Sequence, residues 1–320
     1  MAEILPLDDA FDPALDLLEA GEVVALPTET VYGLAGDATN GEAVARIFEV
    51  KGRPHFNPLI IHVSSIDMAS RFAHIDQASM LLAGGYWPGP MTLVLPLREG
   101  HGLHPLVTAG LDTVAIRLPR HEFARELIEE FGKPLAAPSA NSSGRISPTT
   151  AQAVADDLGD RIKLIADGGA CPVGVESTIV KVTREGVRIL RPGGITAGEI
   201  EGALGVRVLR GGVDGIEAPG MMASHYAPDA RVRLNATSVQ EGEALLAFGP
   251  ERIAGADKAV AVLNLSERSR MREAAANLYQ HLQALDRSGA QMIAVEPIPE
   301  DGLGEAINDR LRRAAAPRGN

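Results

Sequence analysis

The stretch that decides the fold is VVALPTETVYG, residues 23–33. Its first half is apolar and partly β-branched, which is typical of a buried strand. Its second half carries hydroxyl side chains and ends on glycine, which is typical of a tight turn. A helical pattern precedes it at 11–20 and another follows at 41–53. The stretch therefore indicates an α/β fold in which a strand runs into a polar turn.

The same strand signature repeats along the first two thirds of the chain. Further strands are predicted at 58–63, 91–97, 113–119, 162–168 and 176–182, and further helices at 121–131 and 148–158. The gap between the last two strands is too short to hold a helix, and parallel neighbours need a long crossover. We therefore expect a mixed sheet that is partly antiparallel, not a pure Rossmann order.

The composition changes after Arg210. Residues 211–230, GGVDGIEAPGMMASHYAPDA, are rich in glycine and proline and have no period, which is typical of a linker. Strand and helix patterns resume beyond it, including a long helical pattern at 269–287 and a closing one near 303–315. The predicted organisation is a first domain at 1–210, a linker or lid at 211–230 and a smaller Rossmann-like α/β domain at 231–320.

The overall composition is that of a globular protein with an acidic balance. Of 320 residues, 45% are hydrophobic and 22% charged, values that exclude disordered, collagen-like and coiled-coil classes. The 42 acidic and 30 basic residues give a net charge of −12. A sequence-independent grip on nucleic acid depends on clustered Lys and Arg. We therefore expect a pocket for a nucleotide or metabolite.

The chain has one cysteine, Cys171, which cannot form an intramolecular disulfide and has no partner at metal-binding spacing. It is interpreted as a small, partly buried thiol, and no resident metal is predicted. No apolar run approaches the ~18 residues of a membrane span, and the acidic N-terminus does not resemble a signal peptide. We expect a cytoplasmic protein that does not engage a membrane.

The common nucleotide and hydrolase signatures are absent from the sequence. It contains neither a GxxxxGK[ST] loop nor a GxGxxG turn, and neither HExxH nor GxSxG. Chemistry on ATP would therefore need a less common fold.

A first polar constellation, Lys51-Gly-Arg53-Pro54 followed by Asn57, stands at the end of the helix predicted at 41–53. The helix dipole alone favours cations there, so the motif is explained by a helix stop. The functional alternative is that the helix end and turn aim an ammonium and a guanidinium into one cleft, where they would bind a polyphosphate in complementary ways.

Two further constellations lie at other strand ends. AAPSANSSGRISP (136–148) fits ordinary turn chemistry, and it also fits a phosphate-binding nest. PTET (27–30) with Tyr32-Gly33 is another hydroxyl-rich strand end. Arg117 lies inside an apolar strand and needs an anion, because an unpaired buried charge is costly. Either a structural carboxylate or a ligand carboxylate would serve.

Taken together, these motifs resemble the YrdC-like superfamily, and specifically the threonylcarbamoyl-AMP synthases. The motifs are PTETVYGL, KGRP, NPLIIHV, PGPMTLVLP, VAIRLP, APSANSSGRISPT, ESTIV and ILRPG, in that order over about residues 15–195. The ending after GMMASHYAP (220–228) resembles the two-domain form of the family. The resemblance implies a twisted mixed sheet flanked by helices in the catalytic domain, and an added Rossmann-like domain.

The resemblance also implies a reaction. L-threonine, bicarbonate or CO2, and ATP give threonylcarbamoyl-adenylate and pyrophosphate, with Mg²⁺ accompanying ATP. The product feeds threonylcarbamoyladenosine modification of tRNA, with hand-off to a tRNA threonylcarbamoyltransferase complex.

By motif, the family's functional residues are carried over as two sets. The nucleotide contacts fall on Lys51, Arg53, Asn57, Thr113, Ser139, Asn141, Ser147, Arg191, His225 and Tyr226. The pair Lys51 and Arg53 is also given the catalytic role. The threonine contacts fall on Thr30, His62, Arg117, Ala137 and Ser177. In the linker, Met221 and Met222 join His225 or Tyr226 in an expected lid that excludes water. Cys171 lies outside these motifs and is expected to take no part.

Two rival functions remain at this point. One is an RNA-binding module without adenylate chemistry, which the net charge opposes, so direct tRNA binding is expected to be weak or absent. The other is carbamoyl transfer from carbamoyl phosphate, as in hydrogenase-maturation proteins, whose acylphosphatase and zinc-finger segments this sequence lacks. Pyrophosphate release that requires both threonine and bicarbonate separates these readings.

Overall fold

The computed structural model describes residues 1–210, 217–220 and 225–317. The chain divides into two compact units, each taken here by itself. The first comprises Met1–Ser143, Pro148–Cys171 and Glu176–Met221, and the second comprises Gly144–Ser147, Pro172–Val175 and Met222–Asn320. Within the described ranges, no helix has the length and apolar character needed to cross a membrane.

The strands of the first unit form one 11-stranded sheet. In chain order they are β1 (Glu3–Pro6), β2 (Val24–Leu26), β3 (Gly33–Asp37), β4 (Ile60–His62), β5 (Met91–Pro96), β6 (Thr113–Arg117), β7 (Leu135–Ala136), β8 (Leu164–Asp167), β9 (Thr178–Thr183), β10 (Gly186–Arg191) and β11 (Val208–Arg210). Across the sheet the order is β1-β8-β2-β3-β7-β4-β6-β5-β9-β10-β11.

The sheet is mixed, as the sequence predicts. Parallel neighbours include β4 with β6 and β5 with β9, whereas β2 with β3 and β5 with β6 are antiparallel. The reason given from the short gap after β8 is wrong, however, because β8 lies between β1 and β2 while β9 lies between β5 and β10. These two strands are not neighbours, so the length of the gap between them says nothing about their pairing.

The helices of the first unit are α1 (Leu7–Glu19), α2 (Gly41–Lys51), α3 (Ile66–Phe72), α4 (Gln77–Tyr86), α5 (Pro105–Thr108), α6 (Glu122–Phe131), α7 (Ala151–Leu158) and α8 (Ala197–Leu204). Helix α2 has local signals at both ends. The Asn40 side chain accepts from the Glu42 amide at its start, and Gly52 takes a left-handed conformation with φ 58° at its end. Lys51 is therefore fixed as the last helical residue.

The strand and the tight turn predicted at 23–33 are both present: β2 ends at Leu26, the turn follows, and β3 begins at Gly33. Thr28 explains the break, because its Oγ1 accepts from the Thr30 amide at 3.1 Å and donates to the Val31 carbonyl at 2.7 Å. A threonine side chain that bonds its own backbone in this way replaces ladder bonds with a turn. Fully buried Tyr32 and Leu34 follow, so the turn is anchored in the core on its far side.

The second unit contains a four-stranded, all-parallel sheet. Its strands are β12 (Arg231–Arg233), β13 (Ala244–Ala247), β14 (Val262–Asn264) and β15 (Met292–Val295), in the order β12-β15-β13-β14. Its helices are α9 (Met271–Asp286) and α10 (Leu303–Ala315), with a short 3-10 turn at Ala256–Lys258. The expected smaller α/β domain is confirmed.

The second unit also takes in two short segments that the sequence analysis assigned to the range 1–210. The Ala227 amide donates to the Gly144 carbonyl at 2.8 Å, and Arg145 forms an ion pair with Asp229. A Cβ on Gly174 would lie 2.3 Å from the Ala275 carbonyl oxygen, so only glycine allows this approach.

The predicted boundaries at 1–210, 211–230 and 231–320 remain predictions. Residues 211–216 and 221–224 of the predicted lid, including Met221 and Met222, lie outside the described residues.

Gly193, after β10, provides a test of the packing around β9. A Cβ there would lie 2.3 Å from the Glu176 carbonyl oxygen and 2.5 Å from the Thr178 amide nitrogen. We expect Gly193→Ala to lower the free energy of unfolding by about 1–3 kcal/mol, the usual cost of overpacking. Urea unfolding followed by the fluorescence of Trp87, the single tryptophan, which is buried in the first unit, measures it.

Gly202→Ala in α8 is the matched control, because its Cβ would meet nothing within 4 Å. An exposed helical glycine replaced by alanine should gain about 0.5–1 kcal/mol. Equal stability of the two variants would contradict this account of the packing.

Candidate active site

A row of predicted site residues runs across five neighbouring strands of the first unit. His62 on β4 pairs with Arg117 on β6, Arg117 with Thr92 on β5, Thr92 with Ile179 on β9, and Ile179 with Arg191 on β10. Directly opposed residues in a sheet present their side chains on the same face. His62 and Arg117 are thus aligned by regular strand register, although they lie far apart in the sequence, and a β-bulge between Ile189 and Arg191 brings Arg191 opposite Ile179 in the same row.

Arg117 is buried and has three described partners. Its Nη1 donates to Thr30 Oγ1 at 2.8 Å and its Nε to the Gly89 carbonyl at 3.3 Å. Its Nη2 forms an ion pair with Glu29 Oε1 at 2.7 Å, and both side chains are under one tenth exposed. Of the two anions that the sequence left open for Arg117, the structural carboxylate is present. It belongs to Glu29, which also accepts from the Arg120 amide at 3.1 Å.

Glu29 is the site residue that the sequence reasoning missed. It is flanked in the PTET motif by Thr28 and Thr30, and it lies 88 positions before Arg117 in the printed sequence. Its position could have identified it, because Glu29 is an acidic residue within the hydroxyl-rich turn that directly follows a buried strand. Periodicity predicts that a side chain is buried, but it does not predict which distant partner neutralises it.

His62 is buried beside Arg117, and its Nδ1 has no hydrogen-bond partner among the described residues. Burial, reinforced by the Arg117 charge, lowers the pKa of His62 to about 3. The imidazole is therefore neutral at physiological pH, with one unused buried nitrogen. A neutral ring nitrogen in this position can donate or accept a hydrogen bond with a polar ligand, depending on its tautomer, without adding charge.

Arg191 and Ser177 contact each other at the end of the row. Arg191 Nη2 donates to the Ser177 carbonyl at 3.0 Å and to Ser177 Oγ at 3.2 Å, and its Nη1 reaches the Pro219 carbonyl at 3.4 Å. Ser177 Oγ also lies 2.7 Å from Thr92 Oγ1. A residue assigned to threonine and a residue assigned to ATP are thus in direct contact.

The Lys51 and Ser139–Asn141 motifs come together at the end of α2. Lys51 Nζ donates to the Ser139 carbonyl at 2.5 Å and also to the Asn141 carbonyl. Burial, with the nearby Arg53 charge, holds the pKa of Lys51 well below its usual value. The segment is tied to the turn after β2, since the Ala140 amide donates to the Tyr32 carbonyl at 2.8 Å.

The Arg53 guanidinium donates hydrogen bonds to the backbone of the loop that follows it. Its Nε donates to the Asn57 carbonyl at 3.2 Å and its Nη2 to the Pro58 carbonyl at 2.8 Å. Strands β4 and β6 are parallel, with Ile60 opposite Ala115, so the loop that precedes β4 and Thr113 at the start of β6 lie toward the same end of the pair. Asn57 and Thr113 therefore lie toward one end of the β4–β6 pair, and His62 and Arg117 lie at the other.

Thr113 and Arg117, at the two ends of β6, are about 13 Å apart, because the four steps of extended chain between them rise roughly 3.3 Å each. Ala137 follows β7 and lies beside the β4–β6 pair, its amide donating to the Ile60 carbonyl at 3.0 Å.

Along β4 and β6, the residues assigned to threonine thus lie at one end and Asn57 and Thr113, assigned to ATP, lie toward the other. Arg191 is the exception, because it is assigned to ATP but contacts Ser177 in the row of Arg117.

The remaining predicted residues, Ser147, His225 and Tyr226, belong to the second unit. Ser147 is buried. The Tyr226 ring stacks on Tyr279 with centroids 5.6 Å apart, and the His225 ring meets it edge-on at 4.1 Å. The Arg310 guanidinium lies 5.2 Å from the Tyr226 centroid. Their assignment to the nucleotide remains a prediction.

Cys171 is buried, and burial raises its pKa to about 12. A thiol held in that state is a poor nucleophile. In the described ranges 1–210, 217–220 and 225–317, no three His, Cys, Asp or Glu side chains are grouped so as to hold a metal ion.

Two family models cover nearly the whole chain. The model for Sua5, YciO and YrdC sequences, described as "Telomere recombination", matches residues 16–193, and the model described as "Threonylcarbamoyl-AMP synthase, C-terminal domain" matches residues 195–316. The chain belongs to the threonylcarbamoyl-AMP synthase family. The family inferred from the order of motifs, and the two-domain form inferred from the ending of the sequence, are both confirmed.

Individual relatives agree over their full length. The threonylcarbamoyl-AMP synthase of Pyrococcus abyssi is 42% identical over 326 residues, covering 95% of this chain and 94% of its own. That of Bacillus subtilis is 42% identical over 332 residues, covering 99% and 96%. The crystal structure of P. abyssi Sua5 complexed with L-threonine matches with a TM-score of 0.88 at 39% identity, covering 98% of each chain.

These relatives favour the enzyme over the RNA-binding module, and the prediction of an enzyme of this family is confirmed. A structure of full-length HypF matches 58% of this chain and 29% of its own at 19% identity, with a TM-score of 0.53. That likeness is one of fold alone.

The Arg117–Glu29 pair gives a stability prediction. Removing one partner of a buried ion pair leaves an uncompensated charge, so Glu29→Ala should lower the free energy of unfolding by about 3–5 kcal/mol. Glu185, which is exposed and pairs with Arg188, supplies the control, because Glu185→Ala removes a solvated carboxylate and should cost about 1 kcal/mol or less. Urea unfolding followed by Trp87 fluorescence compares them, and similar losses for both variants would refute the buried pairing.

His62 gives a pH prediction. Its pKa is about 3 in the folded protein and near 6.5 when unfolded, so between these values the unfolded chain binds a proton that the folded chain does not. Above pH 6.5 the imidazole is neutral in both states and makes no pH-dependent contribution to stability. As the pH falls below 6.5, protonation of the unfolded chain lowers the free energy of unfolding. Between pH 6 and 4 the wild type should lose up to about 1.4 kcal/mol more per pH unit than His62→Gln. Parallel stability curves in urea titrations would contradict this.

Proposed function

We propose that the chain makes L-threonylcarbamoyl-adenylate from L-threonine, bicarbonate or CO2, and ATP on the residues described above, with release of pyrophosphate. The observation that carries the proposal is the separation along the β4–β6 pair. His62 and Arg117 stand at one end, and Thr113 with the Arg53 loop stands toward the other. An amino acid at the first end and a nucleotide at the second would meet over the sheet between them.

Arg117 is suited to the threonine carboxylate. Its guanidinium carries five N–H groups, and the three described partners leave two that can form the paired hydrogen bonds typical of arginine with carboxylates. The Glu29 carboxylate and the Thr30 hydroxyl fix the plane of the guanidinium before the substrate arrives. Arg117 would therefore bind threonine at little cost in reorganisation.

The hydroxyl-bearing and neutral side chains around Arg117 would read the rest of the amino acid. Thr30, Ser177 and the neutral imidazole of His62 offer donors and acceptors for the threonine hydroxyl and amine. A site that satisfies a substrate hydroxyl rejects an analogue without it, because its own polar groups are left unpaired. Valine and alanine should accordingly be poor substrates.

The reaction needs two negatively charged partners to meet. The threonine amine loses a proton and captures CO2, and a carbamate oxygen then attacks the α-phosphorus of ATP as pyrophosphate leaves. The cationic groups of Lys51, Arg53 and Arg191 would offset the repulsion and stabilise the charge of the in-line transition state. Mg²⁺ enters as part of the MgATP substrate and neutralises phosphate charge. Catalysis is then mainly positioning and charge.

The product is a reactive mixed anhydride that tRNA modification consumes. The proposal therefore includes hand-off to a tRNA threonylcarbamoyltransferase complex in the cytoplasm, without stable tRNA binding by this chain. It also keeps Ser147, His225 and Tyr226 as nucleotide contacts.

The test is pyrophosphate release from ATP in the presence of threonine and bicarbonate. We expect release to require all three, Lys51→Met to lower kcat/KM at least 100-fold, and Arg117→Lys to raise the KM for threonine about tenfold or more, because lysine lacks the two-pronged geometry. Arg46→Gln, at an exposed pair with Glu22, is the control and should match the wild type.

Release that proceeds without threonine or without bicarbonate would contradict the proposal. Retention of tRNA on nitrocellulose at physiological salt, with no pyrophosphate formed, would favour the RNA-binding alternative instead.

A further inference from the structure

A side-chain cluster behind the Lys51 site joins α2 to the loop that carries Ser139 and Asn141. We call Ser142, Asp157 and Arg161 the α2 clamp. Asp157 is on α7 and Arg161 follows that helix, so both come from one short segment. No motif of the sequence analysis includes Asp157 or Arg161, and the proposed mechanism does not use them.

Arg161 bridges the two elements. Its Nη1 donates to the Val50 carbonyl at 2.6 Å, in the last turn of α2, and its Nη2 donates to Ser142 Oγ at 2.6 Å. The same Nη2 lies 3.0 Å from Asp157 Oδ1 and so ties the bridge to α7. The carbonyls in the last turn of a helix lack partners within the helix, and Arg161 supplies one.

Asp157 holds the loop side. Its Oδ2 accepts from the Ser142 amide at 2.7 Å, and its Oδ1 accepts from Ser142 Oγ. A carboxylate that accepts both an amide and a hydroxyl from one residue fixes that residue's position and orientation. One further bond lies beside the clamp, from the Ser143 amide to the Lys51 carbonyl at 2.7 Å.

These contacts fix the backbone on which Lys51 depends. The Lys51 ammonium donates to the Ser139 and Asn141 carbonyls, so its position is set by the loop as much as by α2. The clamp holds residue 142, directly after Asn141, and residue 50, directly before Lys51. It therefore fixes the distance between the base of the lysine side chain and the carbonyls that receive its tip.

We propose that Asp157 and Arg161 are positioning residues of the nucleotide site, which hold the Lys51 ammonium and the Ser139–Asn141 loop in the geometry that binds the ATP phosphates. The inference rests on the proposed function, in that it takes these motifs as the ATP site. Neither residue touches the substrate in this proposal, and each acts through the end of α2 and residue 142.

A purely stabilising role is the competing explanation, and exposure helps to separate the two. The side chains of Arg161 and Asp157 are 41% and 26% exposed, so their pair should contribute little to global stability. A positioning role predicts a loss specific to ATP. A stabilising role predicts a lower melting temperature and parallel losses for both substrates.

The experiment compares Asp157→Asn and Arg161→Lys in the full chain. Asparagine keeps the shape but replaces one acceptor oxygen by a donor, and lysine cannot span two acceptors as a guanidinium does. The dissociation constants of ATP and of threonine are measured separately by equilibrium dialysis, and KM values come from pyrophosphate release. We expect the ATP constant and KM to rise five- to twentyfold, threonine binding to change less than twofold, and Tm to stay within about 2 °C.

One control variant and one double variant accompany these measurements. Asp156→Asn alters the neighbouring acid, whose Oδ1 accepts from Gln152 on the outside of α7, and should leave ATP binding unchanged. The double variant Asp157→Asn/Arg161→Lys should be no weaker for ATP than the worse single variant, because both changes break one connected unit.

The inference is overturned if both single variants bind ATP within twofold of the wild type, or if ATP and threonine affinities fall together with Tm. The proposed function fails separately, if the wild type releases no pyrophosphate with threonine and bicarbonate. Dialysis with ATP still tests the clamp in that case, and a wild type that binds no ATP overturns both.

Discussion

The burial of the Arg117 guanidinium is the constraint on which the site depends. A charge in that environment needs an anion, and Glu29 supplies it at 2.7 Å. The requirement draws the turn after β2 against the end of β6, although many strands and helices separate them in sequence. Thr28 makes this possible by closing the turn on itself, so the hydroxyls of the PTET motif lie together at the ends of strands in the interior of the sheet. The packing of the turn and the charge balance of Arg117 thus both place the PTET motif beside the end of β6.

Strand register then extends this local arrangement into a site. His62 and Arg117 are placed by regular backbone pairing, and Arg191 joins their row through a β-bulge in β10, so all three lie on strands and not on flexible loops. A cation on a strand is held more rigidly than one on a loop, and rigid placement is what electrostatic stabilisation of a transition state requires. The Lys51 side chain is also held in place, by the backbone carbonyls that accept from its ammonium and by the α2 clamp.

The sequence predicts those parts of this design that local patterns encode. Runs such as residues 91–97 and 113–119 read as strands because β-branched and apolar residues reveal burial, and Gly52 marks the end of α2 because a left-handed residue ends a helix. Local patterns do not reveal partners. The separation of β8 from β9, and the pairing of Glu29 with Arg117, depend on contacts between distant segments. The candidate site residues were predicted from the order of the motifs, which resembles that of a known family. Periodicity alone left a structural and a functional explanation open for each motif.

The two ends of the site also differ in how their cations are balanced, and the difference matches the charges of the two proposed substrates. Arg117 is paired with a carboxylate, so its own charge is offset before any ligand arrives. A zwitterionic amino acid, itself without net charge, suits such a place. Lys51 donates only to neutral carbonyls, and no carboxylate lies within ion-pair distance of its ammonium in the described part of the chain, although the Asp157 charge acts on it from farther away. Burial, with the nearby Arg53 charge, keeps the pKa of Lys51 below its usual value despite that carboxylate. An arriving triphosphate would supply the missing counter-charge, so the burial that destabilises the free lysine strengthens its attraction for a polyanion.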